Sequence, residues 1–148
     1  MNPIKQAVIP PVQIYIGISA VLLAPILFWP LIHNFTDNGL NPAGNIHQIW
    51  LIMACTLLIC AATADSVIGY RPDNSWPAIS AAWILFTTLG VSFSLRLSDG
   101  DWLLALMFAL HSLRAMVALW RNGQHWHLWP AWGRDTLASA ALFFWSMF

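Results

Sequence analysis

The amino-acid sequence predicts an all-α fold: a polytopic membrane bundle of five transmembrane helices joined by short loops, with residues 1–148 forming one integral-membrane domain. Three observations predict it. Only 8% of the 148 residues are charged and 59% are apolar, against roughly 25% charged in ordinary soluble domains. The apolar residues gather in long runs, each sufficient for a ~30 Å hydrocarbon core at ~1.5 Å rise per residue. Most of the ten tryptophans fall at the edges of those runs, where an indole's apolar body and single N–H donor suit the headgroup boundary.

The runs are residues 8–32, 46–69, 76–97, 101–120 and 130–148. The first opens MNPIKQAVIPPVQ, with one positive charge and no small-x-small pattern near its exit, so it reads as a span rather than a removable leader. Pro25, near its middle, is the expected bend. Asn45 can cap the second helix. Ser75-Trp76-Pro77 supplies a cap and a first-turn proline to the third, and Ser98-Asp99-Gly100-Asp101 makes a tight turn that caps the fourth. The fifth carries Arg134 and Asp135 about one turn in, where their heads can reach the interface; a count of four spans would leave it out. Short connections make spans two, three and four antiparallel neighbours. Small residues at Ala61-Ala62-Thr63-Ala64, Ser80-Ala81-Ala82 and Ala138-Ser139-Ala140-Ala141 suit close helix approach in lipid.

Orientation follows from the few cations. With the N-terminus inside, Lys5, Arg71, Arg121 and Arg134 lie on the inner side and only Arg96 on the outer. In a bacterial inner membrane this places the N-terminus in the cytoplasm and the C-terminus in the periplasm. The formal net charge is zero, so neither nucleic acid nor an anionic surface is a suggested partner. The expected partners are membrane lipid and other membrane-protein subunits, or further copies of the chain in a homo-oligomer. Cys55 and Cys60, five residues apart on one helix, face different ways and read as small apolar residues.

Three groups of residues can carry chemistry. On the outer side, His33, Asp37 and His47, with Asp99 and Asp101 brought to the same side, offer imidazole and carboxylate ligands for a metal ion, or two imidazoles for haem iron. Their spacing follows no established ligand pattern, and the same residues are ordinary turn formers and caps. Within the membrane, His111 lies about 15 Å below Asp101, near the midplane, and Arg114 about 20 Å below on the same face. Ionisable groups at that depth cost at least ~2.5–3.5 kcal/mol, so they read as ligand or proton-relay residues. In that reading Arg114 holds an anionic headgroup, a substrate carboxylate or Asp65; in the bland alternative His111 donates to Thr87, Thr88 or Ser92 and Arg114 snorkels inward. Trp83, also near the midplane, needs a partner for its N–H. Asp65 is roughly 28 Å below Ile46 and is expected to pair with Arg134, with Asp135 beside it. On the inner side, Trp126, Trp129 and Trp132 recur every third residue beside Arg121 and His125, the pattern of a lipid-interface anchor.

The sequence has no glutamate, no G-x-S-x-G and no phosphate-binding loop, so a membrane enzyme would have to use the histidines and aspartates above. The reading that follows is a non-enzymatic integral membrane protein, acting within the bilayer as a transport or assembly subunit. One alternative is a haem- or metal-binding redox protein using His33, His47 or His111. Another is a proton-coupled or ion-conducting pore using His111 and Arg114.

Overall fold

In the computed structural model the described residues are 11–28, 43–68, 76–98, 100–122 and 126–147, with only the backbone described at 43–47, 76 and 122. They form five α-helices: α1 (Pro11–Leu27), α2 (Ala43–Ile68), α3 (Trp76–Ser94), α4 (Gly100–Asn122) and α5 (Leu128–Trp145). All described secondary structure is helical, as the sequence predicts.

Among the described residues, three helices meet the length and composition of a span. Gln48–Ile68, Pro77–Ser94 and Gly100–Arg121 are long and apolar enough to cross a membrane. As described, α1 has 17 residues, about 25 Å at helical rise, short of a ~30 Å core. In α5 the charged pair Arg134 and Asp135 interrupts the apolar run, and both residues are buried in the bundle rather than held at an interface. Pro25 lies inside α1 but within its last turn, so it marks the helix's end and not a mid-helix bend.

The distribution of side chains is inverted relative to a water-soluble protein. Ile14, Ile18, Val21, Ile49, Leu85, Phe93, Trp120 and Leu137 are among many large apolar residues facing outward, while His111, Arg134 and Asp135 are buried. A monomer in water rarely exposes apolar surface so widely. Lipid, by contrast, solvates apolar side chains and drives charge to the bundle interior.

The closest packing is between α4 and α5. Ser139 Oγ donates to the Ala105 carbonyl at 2.9 Å, and the next level down joins His111 to Asp135, so the two helices run antiparallel. Ala105, Ala131 and Ala138 are fully covered, and their small side chains let the backbones approach. Around this hairpin α1 leans on α5 and α2, and α3 touches α2 and α4. The α2 alanines Ala61 and Ala62 are buried as expected, whereas Ala81 and Ala82 of α3 face outward. Trp50 is the main departure from a tryptophan belt: it is 1% exposed, in a core with Leu58, Leu104, Phe108 and Leu142.

Glycine fixes the α3–α4 corner. A Cβ on Gly100 would run into the backbone carbonyl of Ser94, so the chain can turn this tightly only without one. A Cβ on Gly90 would press on the Met107 side chain, which sets how near α3 lies to α4.

A buried charge cluster as the candidate functional site

Four helices each supply part of one polar cluster. From α4 comes His111, from α5 Arg134 and Asp135, from α2 Asp65, and from α1 Tyr15. His111 Nδ1 and Asp135 Oδ2 are 2.6 Å apart. Arg134 Nε donates to Asp135 Oδ1 at 2.7 Å and Nη2 to Asp135 Oδ2 at 3.0 Å. The same Nη2 reaches Asp65 Oδ2 at 3.2 Å, and Nη1 donates to the Tyr15 oxygen at 2.8 Å. Tyr15 in turn donates its hydroxyl proton to Asp65 Oδ1 at 2.6 Å. One guanidinium thus joins two carboxylates and a phenol, using the planar fork that lysine lacks.

This arrangement assigns the imidazole protons. Asp135 is fully buried and accepts two bonds from Arg134, so its oxygens act as acceptors, and the proton shared with His111 belongs to Nδ1. The other ring nitrogen, Nε2, is then an acceptor with a free lone pair. It is buried and has no hydrogen-bond partner among the described residues. A carboxylate that fixes the tautomer leaves the opposite nitrogen as the ring's acceptor, the position at which a histidine takes up a proton.

On the far side of His111, the Trp83 ring lies 5.6 Å from the imidazole, centre to centre. The Arg114 guanidinium stands over that indole at 4.8 Å, a cation–π contact. Trp83 Nε1 and Arg114 Nη1 are both buried and without a hydrogen-bond partner among the described residues. His111 gives its Nδ1 proton to Asp135 and not to the α3 hydroxyls, which donate within their own helix: Thr87 to the Trp83 carbonyl, Thr88 to Ile84 and Ser92 to Thr88, at 2.8–2.9 Å. In lipid, a hydroxyl finds its nearest acceptor one turn back on its own helix.

Depth counting needs correction as well. It separates Asp65 from His111 by about 13 Å, yet Asp65 Oδ2 lies 3.9 Å from His111 Nδ1. Counting assumed that helices start level with one another. In fact Asp65 is within a turn of the end of α2, whereas His111 is about three turns from the end of α4.

Asp65, His111 and Asp135 bring their ligand atoms within 4.8 Å of one another. The donor set suits zinc, but the geometry is that of proton sharing. Two ligands of one tetrahedral zinc at ~2.0–2.1 Å stand about 3.3 Å apart, whereas Nδ1 and Oδ2 here are at 2.6 Å. Arg134 already supplies the positive charge that a metal ion would bring. His33, Asp37, Asp99 and His125 lie outside the described residues, as does the side chain of His47, while Asp101 starts α4.

The tryptophans that follow α4 divide. Trp129 is exposed and meets Trp132 edge to face at 5.8 Å, consistent with a surface anchor. Trp126 instead packs against Tyr15 at 5.9 Å. It closes one end of a cleft of about 330 Å³ between α1 and α2, lined by Tyr15, Leu22, Leu57, Cys60 and Arg134 among others. Arg121 closes α4.

Sequence reasoning missed Tyr15 and the His111–Asp135 pair. A signal for the pair was present: a short turn after α4 folds α5 back along it, which returns Asp135 toward the level of His111. Tyr15 carried no such signal, because its helix reaches the cluster through packing alone.

The fold and site together define a helical bundle with three membrane-length apolar helices among the described residues and, at its centre, a buried cluster in which one guanidinium joins two carboxylates. No protein family, curated protein or solved structure matches the chain.

Proposed function

We propose that the protein is an integral membrane protein of proton-linked transport, in which His111 takes up and releases the proton. The observation that carries this reading is the oriented imidazole: Nδ1 is held by fully buried Asp135 at 2.6 Å, and Nε2 is buried and open. Protonation at Nε2 puts a positive charge beside Asp135 and near Asp65, which stabilise it without rearrangement. The Tyr15–Asp65–Arg134–Asp135 chain then links His111 to the cleft between α1 and α2, so the cluster spans the bundle from that cleft to the Trp83 side.

In this proposal all five helices lie across the bilayer. The short α1 and the charged α5 are carried by packing against α2 and α4, and the N-terminus faces the cytoplasmic side of an inner membrane as the arginine distribution favours. The protein acts without chemistry on a substrate. Membrane lipid surrounds it, and α3, the least covered of the three membrane-length helices, is the surface where another subunit or a second copy packs.

Purified protein in liposomes enclosing a pH-sensitive dye tests the reading. An imposed potential should acidify wild-type vesicles faster than empty ones, and His111→Gln and Asp135→Asn should return the rate to background while remaining monodisperse. Wild-type flux equal to that of empty vesicles, or full flux in His111→Gln, overturns it.

A further inference from the structure

We infer that His111, Arg114 and Trp83 form a binding site for the head of a monocarboxylic acid, which hands its proton to His111; this rests on the proton-linked reading above. Three buried polar atoms without hydrogen-bond partners among the described residues belong to side chains gathered at the Trp83 indole: His111 Nε2, Arg114 Nη1 and Trp83 Nε1. The side chains meet around the indole, with Arg114 4.8 Å above it and His111 5.6 Å away. His111 and Arg114 are three residues apart on α4 and so share a face, and Trp83 approaches from α3. His111 itself is only 2% exposed.

The hydrogen-bonding demand of this trio is specific. Arg114 and Trp83 present N–H donors, and His111, whose Nδ1 proton is committed to Asp135, presents an acceptor. Leaving such groups unmatched in a bundle interior is costly. A carboxylic acid matches all three, since its carbonyl oxygen accepts from Arg114 and Trp83 while its O–H donates to Nε2. Proton transfer balances within the site: the acid's O–H bond breaks, Nε2 gains the proton, and the products are a carboxylate beside the Arg114 cation and an imidazolium beside Asp135.

The charge around the site favours a head that arrives neutral. The groups facing His111 are Asp135 and Arg134 from α5, Asp65 from α2 with Tyr15 of α1 behind it, and Arg114 on its own helix. Arg134 is shared between the two carboxylates, whereas Arg114 has the indole face as its contact. Asp65 also acts on Arg114, so two guanidiniums and two carboxylates balance, and a head that arrives as the neutral acid keeps that balance while its O–H meets the Nε2 acceptor.

Equilibrium calorimetry in detergent, with no gradient, tests the site with butyrate and with dodecanoate as probes. Binding of dodecanoate alone supports an acid delivered from the lipid phase; binding of both supports recognition of the head whatever its source. Arg114→Gln and Trp83→Phe should each weaken binding about tenfold, Arg114→Lys should recover part of the loss, and Leu22→Trp, which fills the α1–α2 cleft, should leave it unchanged. Nitrogen NMR should show Nε2 gaining a proton on binding. No binding of either probe, or binding abolished by Leu22→Trp and intact in Arg114→Gln, overturns the inference. Binding without flux removes the transport reading alone, and flux without binding removes this site alone.

Discussion

His111 Nδ1 and Asp135 Oδ2 meet at 2.6 Å across the α4–α5 interface, with 3% and 0% of their side chains exposed. The contact joins the two most closely packed helices at the level where their other polar contacts also cluster, with Ser112 and Thr136 hydroxyls 2.7 Å apart beside it. It is both a fastener of the hairpin and the device that orients the imidazole, so changes here have separable structural and functional consequences.

Asp135→Ala should be the most damaging carboxylate substitution. It strips Arg134 of two bonds and leaves His111 without its acceptor, a loss of about 3–5 kcal/mol for a broken buried pair. Asp65→Ala should cost less, because its side chain is 11% exposed and Arg134 retains Asp135. Thermal unfolding in a fixed detergent orders the two; the reverse order would show that Asp65 anchors the cluster.

Tyr15→Phe removes the phenol that donates to Asp65 and accepts from Arg134. The ring and its edge contact with Trp126 remain, so the expected loss is about 1–3 kcal/mol from the unpaired polar groups. The same unfolding measurement should show it, with native helix content kept in circular dichroism.

Gly100→Ala places a methyl group against the Ser94 carbonyl. The corner must open to admit it, at a cost of about 1–3 kcal/mol, the range for overpacking a tight site. Proteolysis at the α3–α4 connection should accelerate. An unchanged cleavage rate would mean that the corner relaxes freely.

Ala138→Leu adds three carbons where the helix face is fully covered, and should cost about 1–3 kcal/mol. Leu137→Ala, one residue away and 51% exposed, should shift stability by no more than about 0.5 kcal/mol. Comparing their unfolding midpoints checks that the α4–α5 face is packed as described.

Helix content and the order of the helices were legible because lipid imposes a length and a composition on each run. The pairing of Asp65 with Arg134 was legible too, since two opposite charges buried at similar depth have few alternatives. The clustering of His111 with both was not. That contact depends on how far α2 and α4 slide past one another, and sliding is decided by packing of residues such as Trp50, Leu104 and Phe108, whose hydropathy says nothing of register. Trp50 shows the same limit: an indole at the edge of an apolar run reads as an interface marker, and only the tertiary structure reveals it as core.

The position of Arg134 in the chain has a consequence for how the protein is made. Asp65 leaves the ribosome with Tyr15 already synthesised, but 69 residues must follow before its guanidinium exists. Arg134 and Asp135 emerge side by side and can neutralise each other within one helix turn. Until then Asp65 lacks the Arg134 donor and His111 lacks its carboxylate acceptor. A chain stopped before the fifth helix therefore leaves open the polar groups that the finished protein conceals.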